Sequence, residues 1–226
     1  MLRPFNLIIA AGGTGSRMQS TLPKQFFEIE EKTILEHSIL AFKWFKPAII
    51  VVAVHYDYLA ETEQRLKRLN LPIKCVAGGS TRKESVEQAL ACCDIALPTL
   101  IHDAARPCVT TAIIEAVLNG LNSHCCVIPG IPVTDTIKSV SNNMVNKTVD
   151  RSKIQRIQTP QGFDTSILIK ALNLKSDTQV TDEALLIEQL GHDILVVPGA
   201  DKNIKATVSQ DWVLIKHYLL SDHRSN

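Results

Sequence analysis

Apolar residues along this chain fall into short runs separated by stretches of helical spacing. The runs are Leu7–Ala11, Ala48–Val54, Ile73–Ala77, Thr99–His102, Cys125–Ile128 and Ile194–Val197, and each predicts a strand. Between them, segments such as Glu84–Cys93 and Thr111–Leu121 repeat apolar positions three and four apart, which predicts helices. Alternation of this kind implies an α/β fold with a mainly parallel sheet, helices on both faces, and ligands beyond the carboxyl ends of the strands. The stretch 131–155 breaks the rhythm. Pro132–Val140, a Ser141-Asn142-Asn143 turn and Met144–Val149 read as a β-hairpin. Its arms are largely polar on both faces, so it suits a projecting arm better than a core element, with an edge hairpin on the same subunit as the alternative. With no internal repeat or low-complexity tract, residues 1–226 read as one domain carrying that arm.

The first run ends in Ala10-Ala11-Gly12-Gly13-Thr14-Gly15-Ser16-Arg17-Met18, and Lys24 follows in Leu22-Pro23-Lys24-Gln25. Small residues after a strand leave backbone N–H groups open to an anion, and two cations follow them, a pattern that suits a polyphosphate. The loop lacks the Gly-Lys-Ser/Thr of a Walker A motif and the full Gly-x-Gly-x-x-Gly fingerprint, which weakens ATPase and dehydrogenase readings. An ordinary tight turn is the bland alternative.

Composition narrows the classes. Hydrophobic residues make up 45% of the 226 positions and charged residues 21%, which excludes a disordered chain. A net charge of +1 offers no general attraction to nucleic acid or anionic membrane, so any anion binding must be local. The six cysteines show no zinc spacing and are expected to be reduced. The first predicted strand starts by about Phe5 and no apolar run has the length of a membrane span, so the expected location is cytoplasmic.

Three further constellations carry chemistry. Gly78-Gly79-Ser80-Thr81-Arg82-Lys83-Glu84-Ser85 follows a strand and opens a helix; it suits either a ligand's polar edge or a helix cap. Ile101-His102-Asp103-Ala104-Ala105-Arg106-Pro107 puts a carboxylate and a guanidinium at one lip with small residues between, or forms a local Asp103–Arg106 ion pair; His102 reads as a packed strand histidine. Thr181-Asp182-Glu183-Ala184 could hold a carboxylate pair, but an acidic pair opening a helix is expected to cap it.

Together with Asp135-Thr136-Ile137-Lys138, Thr148-Val149-Asp150-Arg151, Thr159-Pro160-Gln161 and Asn203-Ile204-Lys205, these motifs resemble the 2-C-methyl-D-erythritol 4-phosphate cytidylyltransferase family, in order, from about Leu7 to Tyr218. The resemblance implies a Rossmann-like nucleotidyltransferase fold, a homodimer clasped through the arms, and transfer of a cytidylyl group from CTP to methylerythritol phosphate with magnesium. It further implies that Arg17 and Lys24 stabilise the transition state and that Arg151 and Lys205 position the acceptor. Ala10, Ala11, Gly12, Gly13, Thr14 and Gly15 would cradle the triphosphate. Gly79 and Ser85 would read cytosine, while Asp103 and Ala104 would contact ribose or substrate hydroxyls. Arg106, Thr136, Thr159 and Thr181 would line the acceptor pocket. Magnesium would be held through phosphate oxygens, with no protein ligand assigned. Ser80 departs from the pattern, since several relatives carry an acidic residue there. A ribitol 5-phosphate cytidylyltransferase and a nucleotide-binding regulator without turnover are the alternative functions.

Overall fold

The computed structural model describes residues 3–12, 23–174, 180 and 182–222. Four strands run parallel: β1 (Asn6–Ala11), β4 (Ile49–Val54), β5 (Ile73–Ala77) and β6 (Thr99–Asp103), in the order β6-β1-β4-β5, with β5 at the sheet's edge. A small hairpin of β2 (Glu28–Ile29) and β3 (Lys32–Thr33) lies outside this sheet. β1 and β4, buried at nearly every position, read as near-continuous apolar runs, whereas β5 at the sheet's edge exposes Lys74. Leu7, Ile9, Ile50, Val52 and Leu100 enter one core, and Ile8, Val51, Ala53 and Ile101 enter the other.

Helices α1 (Ile34–Leu40), α2 (Leu59–Leu66) and α4 (Thr111–Gly120) cover the first face through residues such as Leu35, Leu66 and Ile114. Helices α3 (Arg82–Leu90), α5 (Thr165–Leu172) and α6 (Ala184–Gln189) cover the second through Val86, Leu168 and Leu186. Local chemistry fixes their starts. Thr33 and Glu36 form a capping box on α1, and Thr81, Thr110 and Asp164 cap α3, α4 and α5. The Thr81 cap sets the start of α3 at Arg82, two residues before the apolar periodicity of that segment begins.

The remaining strands extend the sheet past β6. β7 (Cys126–Pro132) continues four residues beyond its predicted end at Ile128, and β12 (Leu195–Pro198) runs parallel along it. Between β7 and β6 lies β11 (Gln161–Phe163), antiparallel to both, while β10 (Gln155–Ile157) pairs with the end of β7. These two strands are three residues each, too short for a period-two pattern to announce them. Helix α7 (Ser209–Asp222) closes the described chain, and no described helix is long and apolar enough to cross a membrane.

The chain leaves the sheet at Pro132 and returns at Gln155, and those two residues pair with each other. Between them β8 (Ile137–Ser141) and β9 (Met144–Val149) form a separate two-stranded sheet, with positive φ at Asn142 and Asn143 making the turn. Val140, Met144 and Val145 are all exposed, so the hairpin presents apolar side chains among its polar ones.

Candidate active site

Chain order runs from β1 outward to β4 and β5, then returns to place β6 on the other side of β1. The two neighbours of β1 therefore diverge at its carboxyl end and leave a crevice, the usual ligand position in an open α/β sheet. A cavity of about 380 Å³ lies there. Ala10, Ala11 and Gly12 from β1, Asp103 and Ala104 from β6, and Gly79 and Ser85 from the start of α3 line it, with Lys24 and Lys205 on its wall. Sequence reading assigns seven of these a binding role and Lys24 and Lys205 a catalytic one. Gly13, Thr14, Gly15, Arg17 and Thr181 lie outside the described residues.

Small side chains leave the backbone as the cavity floor. The Ala104 N–H donates to the Ala10 carbonyl at 3.1 Å, the Ser38 hydroxyl to the Ala104 carbonyl at 2.8 Å, and the Gln25 amide to the Ala11 carbonyl at 2.8 Å. At the start of α3, a Cβ on Gly79 would fall 2.2 Å from the Glu84 Cβ, so only glycine fits. Glu84 accepts from both the N–H and the hydroxyl of Ser80, each at 2.7 Å. The Ser85 hydroxyl accepts from the Gly79 N–H at 3.1 Å and donates to the Thr81 carbonyl at 2.9 Å. Ser85 thus braces the loop and spends its only hydrogen there.

Charge converges on Asp103. Its Oδ1 accepts from Arg82 Nη1 at 2.7 Å, and its Oδ2 lies 2.7 Å from Lys205 Nζ and 3.6 Å from Arg106 Nε. Arg82 also grips Glu183, with Nη2 3.1 Å from Oε2 and Nε 3.2 Å from Oε1. Burial alone would raise the Asp103 pKa, but Arg82, Lys205 and Arg106 outweigh it and hold the carboxyl far below the usual carboxylate range. Burial opposes the charge on Arg82 too, and Glu183 and Asp103 more than restore it. Three cations face two carboxylates, so one positive charge is in surplus before Lys24 is counted.

Behind Asp103 stands a polar brace. The fully buried His102 ring meets the Thr159 hydroxyl through Nδ1 at 3.1 Å and the Arg106 carbonyl through Nε2 at 3.0 Å, and burial lowers its pKa to about 4. The Thr159 hydroxyl also accepts from the Asp103 N–H at 3.1 Å. Arg106 donates to the Asn203 carbonyl at 2.8 Å, and Asn203 donates to the carbonyl of Thr159 at 2.9 Å and to Gln158 Oε1 at 3.2 Å. Arg106 and Thr159, expected to line the acceptor pocket, sit one layer behind the cavity and hold its wall. Thr136 and Arg151 are exposed on and beside the hairpin, where Arg151 donates to the Thr134 carbonyl, and neither lines this cavity.

One expectation is corrected. Asp182 does cap α6, accepting from the Leu185 N–H at 3.3 Å, but Glu183 makes no capping bond. Its carboxylate is fully buried against Arg82 instead. The signal lay in helical spacing, since Glu183 precedes Leu186 and Ile187 by three and four and so shares their buried face. Arg82, Gln25 and Gln158 also received no role from sequence, although Arg82 stands at a conspicuous place, opening a helix after two glycines.

Among the described residues no group of three or more His, Cys, Asp or Glu could hold a metal ion. Asp103 is, among the described residues, the one carboxylate lining the cavity, and cations already occupy both of its oxygens.

The family model described as 2-C-methyl-D-erythritol 4-phosphate cytidylyltransferase (IspD) matches residues 5–221. A 2-C-methyl-D-erythritol 4-phosphate cytidylyltransferase of Haemophilus ducreyi is 36% identical over 223 residues, covering 97% of this chain and 98% of its own. The enzyme of that name from Bacillus cereus is 34% identical over 220 residues, covering 95% and 97%. Among solved structures, 4-diphosphocytidyl-2C-methyl-D-erythritol synthase from Anaerococcus prevotii superposes with a TM-score of 0.84 at 27% identity, covering 96% of this chain and 99% of that one.

Proposed function

The chain belongs to the 2-C-methyl-D-erythritol 4-phosphate cytidylyltransferase family, and on that premise we propose that it transfers the cytidylyl group of CTP to 2-C-methyl-D-erythritol 4-phosphate. The products are 4-diphosphocytidyl-2-C-methyl-D-erythritol and pyrophosphate, a step of isoprenoid biosynthesis. The supporting observation is the cavity between β1 and β6, floored by backbone and small residues and walled by Lys24, Arg82 and Lys205.

An oxygen of the acceptor's phosphate attacks the α-phosphorus of CTP. The bond from that phosphorus to the oxygen bridging the β-phosphate breaks, and pyrophosphate leaves with the electron pair. The attacking phosphate is already an anion at neutral pH, so no proton has to be removed. The site's chemistry fits this economy. Asp103 is held ionised by three cations and has too little proton affinity to act as a base, while His102 is buried behind it. Rate must then come from positioning and from cations aimed at the charge that builds on the phosphates.

Lys24 is the described cation that serves the transferring phosphoryl group, with Arg17 assigned beside it on the family pattern. Lys205 positions the acceptor's phosphate. The loop that opens α3, with Gly79 and Ser85, reads the cytosine edge, and Gly12 with the residues after it takes the triphosphate. Magnesium, if bound with CTP, would be held chiefly by phosphate oxygens and would supply charge neutralisation there, with no described residue assigned to it. The protein works as a cytoplasmic homodimer in which the hairpin reaches the partner. Val140, Met144 and Val145 then lose their exposure, and Thr136 and Arg151 serve the neighbouring acceptor site.

Competition tests the reading. The protein is given equal CTP, UTP, ATP and GTP with equal methylerythritol phosphate and ribitol 5-phosphate, and products are identified by mass. The cytidylyl ester of methylerythritol phosphate is the expected main product. Faster formation of CDP-ribitol would transfer the assignment to that acceptor.

A further inference from the structure

We infer that Arg82 and Glu183 are a positioning pair that keeps Lys205 exchangeable between Asp103 and the acceptor's phosphate. The inference rests on the proposed function and deepens it. One of the three Lys205 donors and part of its charge are engaged by Asp103 Oδ2, 2.7 Å away, and the amine must turn from that contact to face a phosphate fully. Moving it costs little only if Asp103 keeps enough positive charge when the amine departs.

The three cations around Asp103 differ in freedom. Arg82 is gripped from behind by Glu183 at 3.1 and 3.2 Å, and Arg106 is tied to the Asn203 carbonyl at 2.8 Å. Their side chains are 23% and 12% exposed, whereas that of Lys205 is 43% exposed and lies on the cavity wall. Lys205 is therefore the partner able to leave. When it does, Arg82 still holds Oδ1 at 2.7 Å and the carboxylate stays compensated. Glu183 fixes the fork so that Nη1 alone reaches Asp103, and it offsets the charge that Arg82 brings into a buried place. Neither residue needs to touch substrate for this.

Removing Arg82 would leave Asp103 to Lys205 at 2.7 Å and the more distant Arg106 Nε at 3.6 Å, and acceptor binding would then have to break a stronger Lys205 contact. The variants are R82Q, E183Q and the charge-balanced R82Q/E183Q, each assayed for KM of both substrates and for kcat. R82Q and R82Q/E183Q are expected to raise the acceptor KM about tenfold, the scale of one charge-assisted contact, with the KM for CTP within about threefold of the parent. E183Q is expected to raise the acceptor KM less than R82Q does, because Arg82 still compensates Asp103 although its fork is no longer held. In a K205M background, adding R82Q should change the acceptor KM by less than about twofold, since the amine it would trap is gone.

A packing role predicts otherwise. It has R82Q/E183Q, which buries no unpaired charge, return to the parental acceptor KM, or has both substrates' KM values rise together; either result overturns the inference. Should R82Q alone fail to fold, the double variant carries the comparison. A parent protein that makes no cytidylyl product refutes the proposed function, whereas an active parent whose acceptor KM ignores R82Q/E183Q refutes this inference alone.

Discussion

Lys24 Nζ donates to the backbone carbonyl of Ala206 across 2.8 Å, joining the segment that follows the glycine loop to the one that carries Lys205. The Ala206 N–H in turn donates to the Ala105 carbonyl at 2.8 Å, so three segments distant in sequence are fixed beside one another at the cavity. The Lys24 amine is held in place before any ligand arrives, which is what stabilising a charged transition state requires.

Lys24→Ala should therefore lower kcat by about a hundredfold, the typical cost of one preorganised donor, while the protein stays folded. Steady-state kinetics with circular dichroism as the folding control checks this. Turnover within about threefold of the parent would remove Lys24 from the transition state.

The hairpin assignment predicts complementation. Lys24→Ala and Arg151→Ala proteins, each inactive alone, should regain part of the activity on mixing, because a mixed dimer carries one site with both residues intact. Sedimentation should give a dimer at micromolar concentration, and deletion of 133–154 should give an inactive monomer. Verified subunit exchange without recovered activity would place Arg151 outside the neighbour's site.

Asp103→Asn should destabilise the fold by about 3–5 kcal/mol, the scale seen when one member of a buried ion network is removed. Its three cations would then face one another with only Glu183 as counter-ion. The midpoint of urea unfolding reports it, and an unchanged midpoint would mean that the cluster is open to water.

His102 gives a pH dependence with a defined sign. Its folded pKa of about 4 lies below the ordinary 6.5, so between those values the unfolded chain binds more protons than the folded one. Stability from the neutral ring is present above pH 6.5 and is lost as pH falls toward 4, by up to about 3 kcal/mol. Asp103 acts lower, because its loss begins only below its ordinary value of 3.8. Melting temperatures of the parent should fall more steeply from pH 6.5 to 4 than those of His102→Gln; parallel curves would contradict the assignment.

Much of this site was legible because it is built from strand ends. Apolar runs located β1, β5 and β6, and the residues just after them, Gly12, Gly79 and Asp103 with Ala104, line the cavity. What escaped sequence reading depends on contacts between distant elements. Glu183 resembled a cap because Asp182 beside it is one, and only the packing of α6 against the sheet turns the next carboxylate inward toward Arg82. Arg106 and Thr159 carried the right chemistry for a pocket, but the short β11, inserted antiparallel beside β6, and the Gln158–Asn203 contacts put them one layer back. The hairpin's position was plain from its broken rhythm, whereas the exposure of Val140, Met144 and Val145 follows from its standing clear of the sheet.

The central claim is that an acceptor phosphate attacks the α-phosphorus of CTP directly. The most direct measurement supplies methylerythritol phosphate with oxygen-18 in its non-bridging phosphate positions, together with CTP and magnesium, and weighs both products. All of the label should appear in the diphosphocytidyl product and none in pyrophosphate. Label in pyrophosphate, or the absence of the diphosphocytidyl product, would contradict the account.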